Sequence, residues 1–259
     1  MTRRNKWLAY NDLAWTEHII APPDEYAKET EPLINAIKEH SVNEVKTLLH
    51  LGCGAGSNDY VFKRYYRVTG IDISEKMLEI ARDLNPEAVY HHGDMRTIEL
   101  GELFDVVVAP ESIDYMKTED ELYSAMITAQ KHLKPGGLFL VVANTAERFN
   151  RNNFVYTGSR DDIEITLFEN NYIPPDTGTT YEATLVYLIR LKGKLEIHTD
   201  QHVLGLFKLE IWLDLLKRVG FDVVNQIDMD HGYEQYIAGE GEYPRLMFVC
   251  TNNSNANTM

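Results

Sequence analysis

Cysteine is nearly absent: Cys53 and Cys250 are the only two, about 200 positions apart. Two thiols build neither a disulfide framework nor, alone, a structural zinc cage, and such sparing use fits a reducing cytoplasm. Long apolar runs are missing as well. No segment approaches the roughly 20 apolar residues of a membrane span. The basic start at Arg3, Arg4 and Lys6 runs into Asn11 and Asp12 rather than into the apolar stretch of a signal peptide. The chain is therefore expected to be neither secreted nor inserted. Positive charge is scarce: 25 Lys and Arg face 40 Asp and Glu, a formal charge of -15. Such a chain repels a phosphate backbone or an anionic membrane unless a local basic patch compensates, so neither nucleic acid nor membrane is expected as a partner. The rest is ordinary for a folded domain. Hydrophobic residues make up 44% and charged residues 25% of 259 positions, which excludes a disordered, collagen-like or coiled-coil chain.

Between Thr47 and Ala143, short apolar runs alternate with helical periods, the pattern of a parallel sheet covered by helices. Strands are expected at Thr47–Leu51, Val68–Ile71, Val89–His91, Phe104–Ala109 and Leu138–Ala143. Met77, Ile80, Ala81 and Leu84 form one amphipathic helix face; Leu122, Ala125, Met126, Ala129 and Leu133 form another. Ser74 stands where an N-cap belongs, and Lys134-Pro135-Gly136-Gly137 is expected to stop the second helix. After about residue 146 the helices vanish. Ile163–Glu169, Tyr181–Leu191 and Leu195–Val203 read as antiparallel strands, with a tight turn at Lys192-Gly193-Lys194. A helix through Leu209, Trp212, Leu213, Leu216 and Val219, closed by Gly220, then leads to strands at Phe221–Ile227 and Arg245–Cys250. The expected layout is a helical lid over 1–45, an α/β core over 46–145 and 205–251, an antiparallel insertion over 146–204 and a disordered tail over 252–259. Leu33, Ile34 and Ile37, on one face of the lid, are expected to pack over the sheet edge.

The segment Leu48-Leu49-His50-Leu51-Gly52-Cys53-Gly54-Ala55-Gly56-Ser57 runs from an apolar strand through three alternate glycines into a helix. Glycines there let the backbone turn tightly and approach a ligand where a Cβ would collide. Twenty positions after Gly52, Asp72 ends the second strand, where a carboxylate can accept both hydroxyl hydrogens of a ribose. The third glycine comes one residue too early for the dinucleotide pattern G-x-G-x-x-G, which argues against NAD.

This G-x-G-x-G form, with Gly93-Asp94-Met95 and Leu133-Lys134-Pro135-Gly136-Gly137, resembles the class I S-adenosylmethionine-dependent methyltransferases over Val45–Asn144. The resemblance implies an α/β fold with a seven-stranded Rossmann-like sheet, its last strand antiparallel, carrying here an antiparallel β insertion. It implies S-adenosyl-L-methionine as cofactor. Gly52, Gly54 and Gly56 would skirt its methionine moiety, Asp72 would bind the ribose and Ile73 would pack on adenine. Asp94 and Met95 would meet the adenine amine and ring, and Ala109 and Pro110 would border the sulfonium. One position departs from the pattern: His50 stands where the family usually has an acid that helps hold the cofactor's ammonium group.

Methyl transfer from a sulfonium is an in-line displacement in which the protein chiefly aligns the reactants. Ala109-Pro110-Glu111-Ser112 lacks the Asn-Pro-Pro-Tyr of adenine and glutamine methyltransferases, and neither cysteine lies where a C5-cytosine enzyme needs one. Tyr10, the run Glu25-Tyr26-Ala27-Lys28-Glu29 and the strand-rich insertion resemble instead the small-molecule enzymes that N-methylate amino sugars. In that branch Tyr10, Tyr26 and Glu29 would line the entrance to cofactor and acceptor, and Tyr115 stands where the sugar enzymes carry a histidine. Tyr10, Tyr26, Glu29 and Tyr115 are thus the expected acceptor-site residues, converging near the methyl group. His91, His92, His198 and His202 lack a third placed ligand, so no metal is expected. Phe168, Tyr172, Tyr181, Tyr187 and Phe207 are each expected as plain hydrophobic core; the alternatives are that they cover the acceptor or form a homodimer interface through the insertion. The function expected is methylation of a small polar metabolite, at nitrogen rather than oxygen; the alternatives are a non-catalytic cofactor-binding sensor or partner subunit, or a protein or RNA methyltransferase.

Overall fold

The computed structural model describes residues 7–175, 177–229 and 233–252. The basic start at Arg3, Arg4 and Lys6 and the expected tail from residue 253 onward lie outside the described residues. Asn252, expected in the tail, belongs to the last strand.

The first five strands are β1 (Thr47–Leu51), β2 (Arg67–Asp72), β3 (Val89–His92), β4 (Phe104–Pro110) and β5 (Leu133–Ala143). An insertion of four strands follows: β6 (Asn153–Arg160), β7 (Ile163–Tyr172), β8 (Thr180–Leu191) and β9 (Lys194–Gly205). The chain then returns through β10 (Phe221–Asp228) and β11 (Leu246–Asn252). The main sheet has seven strands in the order β10-β11-β5-β4-β1-β2-β3, with β11 antiparallel to both of its neighbours. Central β4 and β5 carry continuous apolar runs, Val106–Ala109 and Leu138–Ala143, because both faces are covered, the signature of a buried parallel sheet.

The helices are α1 (Glu17–Ile20), α2 (Ala27–His40), α3 (Ser57–Phe62), α4 (Glu75–Leu84), α5 (Glu119–Lys131) and α6 (Leu209–Val219). On one face, α5 and α6 bury Leu122, Met126, Trp212 and Leu216 against Phe139, Val141 and Phe248. On the other, Leu33, Ile34 and Ile37 of α2 pack with Val61 and Phe62 of α3 on Leu48, Val106, Leu140 and Val249. These last strands are central, so α2 lies across the sheet face and not over its edge, where three apolar side chains have more surface to bury. Ser74 caps α4 as expected, accepting from the backbone N–H of Met77 at 3.3 Å. Leu133 does not extend α5. It already pairs with Phe104, and Lys134 to Gly137 are absorbed in a bulge before the register resumes at Val106 and Leu138.

The insertion is a second sheet, β6-β7-β8-β9, antiparallel throughout. The turn between β8 and β9 is the two residues Lys192-Gly193, both at positive φ, the geometry that a tight hairpin requires. Strand β6 is unanticipated: only Phe154, Val155 and Tyr156 in it are apolar, and its partner β7 rather than its own composition makes it a strand. Gly158 lets β6 cross under α1, since a Cβ there would lie 1.9 Å from the carbonyl oxygen of Ile19. Ala9, Leu13, Ile19 and Ile20 of the N-terminal segment pack on Ile165, Leu167, Leu185 and Ile189 of this sheet, joining it to the α/β core.

Candidate active site

A cavity of about 510 Å³ opens at the carboxyl ends of β1, β2 and β4, between the main sheet, the N-terminal segment and the second sheet. Ligands of open α/β sheets bind at this end. The glycine turn forms its floor. The backbone N–H groups of Gly52 and Cys53 bond to the carbonyl of Ile71, fixing the turn against β2. Gly54, at φ +54, has only the Met77 methyl near its missing Cβ, at 3.6 Å, so its front faces the cavity. Asp72 accepts from the backbone N–H of Gly54 at 2.9 Å and of Ser74 at 2.8 Å, which aims its carboxylate along the same wall. Burial raises its pKa, partly offset by these two bonds. Ile73, half exposed, and Met95 and Pro110 complete this half.

Two expectations shift, and a third residue, Asp94, lines the cavity with a partner of its own. Gly56 does not line the cavity; a Cβ there would meet Asn85, Tyr90 and Ala81, so its role is to let the loop enter α3. Ala109 is wholly buried within the core and also stays off the cavity wall. The carboxylate of Asp94 is turned onto Arg96, whose Nε donates to both oxygens at 3.0 and 3.1 Å, and Arg96 also reaches Glu121. This pairing holds the Asp94 carboxyl below its usual range.

His50 proves to have an acid behind it. Its Nδ1 donates to Asp59 Oδ1 at 2.7 Å, and the other Asp59 oxygen accepts from Tyr90 at 3.0 Å. Both His50 and Asp59 are buried. With Nδ1 committed as donor, Nε2 of a neutral ring is an acceptor, and it is a buried atom without a partner in a side chain that lines the cavity. That orphaned acceptor, the open front of Gly54 and the aimed Asp72 carboxylate together fit a ligand bearing an ammonium group and a ribose.

The opposite half is aromatic and acidic. Tyr10, Tyr26, Glu29 and Tyr115 all line it, but as two groups. Tyr10 and Tyr115 meet hydroxyl to hydroxyl at 2.7 Å, and Tyr115 bonds His202 Nδ1 at 2.5 Å. His202 Nε2 in turn meets Asp200 Oδ2 at 2.9 Å, and the same oxygen accepts from the backbone N–H of Ala9. Tyr26 instead donates to Glu17 at 3.2 Å, and Glu29 lies toward Arg245 and Tyr233. Asp200 and Glu17 escaped sequence reasoning, which weighed His202 only as a metal ligand; the i, i+2 spacing of Asp200 and His202 on one face of β9 was the available signal. Of the expected aromatics, Tyr181 and Tyr187 line the cavity, Phe207 is packed in the core, and Phe168 and Tyr172 face outward. Among the described residues no group of three or more His, Cys, Asp or Glu side chains is placed to hold a metal.

Residues 49–141 match the family model described as a methyltransferase domain. A dTDP-3-amino-3,6-dideoxy-alpha-D-glucopyranose N,N-dimethyltransferase of Streptomyces fradiae is 30% identical over 175 residues, 61% of this chain and 68% of that protein. The chain belongs to the S-adenosylmethionine-dependent methyltransferases. A second relative, the dTDP-3-amino-3,4,6-trideoxy-alpha-D-glucopyranose N,N-dimethyltransferase of Streptomyces venezuelae, is 35% identical over 119 residues. That match spans 45% of this chain and half the length of the relative. In fold, this methyltransferase is similar to the crystal structure of Streptomyces venezuelae DesVI, with a TM-score of 0.73, 23% identity and 92% and 95% of the two chains covered. It is equally similar to the sugar N-methyltransferase KedS8 from Streptoalloteichus, with a TM-score of 0.74, 19% identity and coverage of 92% and 91%. Its seven-stranded sheet is the architecture that the resemblance implied, and its antiparallel insertion is the one that the strand pattern after residue 146 predicted.

Proposed function

We propose that this methyltransferase transfers a methyl group to an amine nitrogen of a small metabolite held in the aromatic half of the cavity. S-adenosylmethionine, when bound, supplies an electrophilic methyl on a sulfonium. Gly52 and Gly54 would border its methionine part, His50 Nε2 would accept from its ammonium group, Asp72 would bind the ribose, and Ile73 and Met95 would flank the base. The choice of nitrogen is supported by the two amino-sugar N,N-dimethyltransferase relatives, and the observation that carries base assistance is the hydrogen-bonded chain Tyr10–Tyr115–His202–Asp200.

Its polarity follows from its far end. Asp200 accepts from His202 Nε2, so Nδ1 of the neutral ring is an acceptor for the Tyr115 hydroxyl hydrogen. The Tyr115 oxygen then accepts from Tyr10, and a lone pair of the Tyr10 oxygen is left for a donor in the cavity. An amine N–H is such a donor. As the nitrogen loses its proton to Tyr10, Tyr10 passes its own to Tyr115 and Tyr115 passes its own to His202, which becomes an imidazolium paired with Asp200. Burial lowers the His202 pKa, which supports a neutral ring ready to receive that proton. General-base assistance of this kind is worth about 10² to 10⁴ in rate.

The test is release of S-adenosylhomocysteine from S-adenosylmethionine across a panel of amines, amino sugars and hydroxy acids. Turnover confined to amines is the expected result; turnover confined to hydroxyl acceptors refutes nitrogen as the target, and cofactor binding without any turnover points to the sensor reading. The free, buried Cys53 and Cys250 support a reducing cytoplasm as the compartment. Exposed Phe168, Leu191, Leu195 and Ile197 on the second sheet support pairing with another copy of the chain, which sedimentation equilibrium would detect.

A further inference from the structure

The inference below rests on reading the cavity as a methyl-acceptor site. We propose that the acceptor is a small polycationic amine, of the diamine or polyamine class, and that it carries no phosphate.

Four carboxyl groups from four separate elements face the acceptor half: Glu17 of α1, Glu29 of α2, Asp114 after β4 and Glu169 of β7. Glu29 lies toward Arg245, whereas the neighbours of the other three are neutral donors. Tyr26 bonds Glu17, Tyr156 bonds Glu169 at 3.3 Å, and Asn144 bonds one oxygen of Asp114 at 2.9 Å. Among the described residues none of Glu17, Asp114 and Glu169 meets a Lys or Arg at ion-pair distance. Asp114, 3% exposed, leaves Oδ1 buried without any partner. Groups so enclosed are held as carboxylates only by a cation, and the chain supplies too few.

The cations that do line the cavity are already committed or peripheral. Arg245, 3% exposed, is ion-paired through one terminal nitrogen with Glu111 and lies over the rings of Tyr233 and Tyr243, 4.4 and 5.4 Å from their centroids, which leaves Nε as the one guanidinium nitrogen of the three that is buried without a partner. Arg96 is closed by Asp94 and Glu121 on the cofactor side, and Lys117 is exposed at the rim. A diphosphate entering this half would meet four carboxyl groups and a single guanidinium already paired with Glu111, and one unpartnered Nε does not make the two-pronged fork that recognises phosphate bidentately. An amine meets the opposite. Tyr26, Tyr156, Tyr233, Tyr243 and Phe154 line the same half, and aromatic faces attract ammonium groups, including methylated ones, once water is excluded. The net charge of -15 draws polycations toward the mouth.

Burial holds Glu17, Glu169 and Asp114 above the usual carboxyl range. An arriving polycation would restore their ionised forms and so drive protons into solvent. Proton release is therefore a readout of this site that needs no turnover.

Spermidine and dTDP are each titrated calorimetrically into the protein saturated with S-adenosylhomocysteine, at about 0.15 M salt and in two buffers of different ionisation enthalpy. Expected are one spermidine site with net proton release, a loss of about tenfold or more in affinity in Glu17→Gln and Glu169→Gln, and no binding of dTDP. Circular dichroism melts confirm that each variant is folded, and either variant alone suffices. Binding of dTDP, binding of neither ligand, or spermidine binding unmoved in a folded variant overturns the proposal. Mass spectrometry of spermidine incubated with S-adenosylmethionine separates the two readings. Binding without methylation sinks the acceptor reading and spares the polycation site, whereas methylation of a dTDP-amino sugar without spermidine binding does the reverse.

Discussion

Asp114 gives the sharpest test of the electrostatics. It sits in the short turn after β4, and its Oδ2 accepts from the backbone and side-chain nitrogens of Asn144, at 3.3 and 2.9 Å. These bonds do not offset the loss of water, and burial pushes its pKa up to about 8. In the unfolded chain the group titrates near its ordinary value of about 3.9. Between the two values the folded protein keeps a proton that the unfolded chain has lost. The stability contributed by the protonated form is thus complete below the unfolded pKa and declines as pH rises through the folded one. The slope is about 1.4 kcal/mol per pH unit, or on the order of 4 kcal/mol between pH 5 and pH 8. Asp114→Asn preserves the shape and the acceptor for Asn144 while removing the titration. Urea denaturation of both proteins at the two pH values should show the variant gaining on the wild type by that amount at pH 8. Parallel pH profiles would mean that Asp114 is ionised in the fold and that the argument from its orphaned oxygen is wrong.

Asp72→Ala removes both the proposed ribose acceptor and the brace on Gly54, so S-adenosylmethionine affinity measured by calorimetry should fall at least about tenfold; unchanged affinity removes Asp72 from the site. Because burial lowers the His202 pKa, kcat/KM for an amine acceptor, already falling as the amine protonates, should fall more steeply as pH drops through a value below the ordinary imidazole range, and Asp200→Asn should move that break in the acid limb lower still. An acid limb unmoved in Asp200→Asn excludes His202 as the proton's destination. Gly158→Ala drives a methyl group into the carbonyl of Ile19 and should destabilise by roughly 1 to 3 kcal/mol, read as a lowered Tm; a neutral effect shows that α1 yields. Trp212→Ala in the core should cost about 3 to 5 kcal/mol in a urea melt, and a smaller loss shows that the helix layer repacks.

The α/β core was legible because its signals are local. Apolar runs fixed β1 and β4, Ser74 sits where its hydroxyl can cap α4, and Gly52 to Gly56 announce a turn that only a ligand site needs. The floor of the cavity was readable for the same reason, save where a glycine or alanine turned out to serve packing, as Gly56 and Ala109 do. The acceptor half was harder. Glu17 and Glu169 are 152 positions apart, and nothing in either segment marks it as facing the other. His202 looked incidental beside His198, since its meaning comes from Tyr115, 87 positions earlier, and from Tyr10 before that. Strand β6 was invisible because pairing with β7, not its own residues, makes it extended. Those features belong to tertiary contact, and a one-dimensional reading has no access to them.

The division of the cavity between two sheets has an evolutionary consequence. Its cofactor half is drawn from one contiguous stretch between β1 and β4, so any change there is constrained by a ligand that does not vary. Its acceptor half is drawn from β6 to β9, from segments near both ends of the chain and from the short turn after β4 that carries Asp114 and Tyr115, all tethered to the core yet outside its hydrogen-bonded ladder. Substitutions in those segments can redraw the acceptor wall while the glycine turn stays as it is. Descent should therefore conserve the donor's chemistry and let the recipient drift, so that a lineage of such proteins shares one methyl source while its members part company over what they methylate.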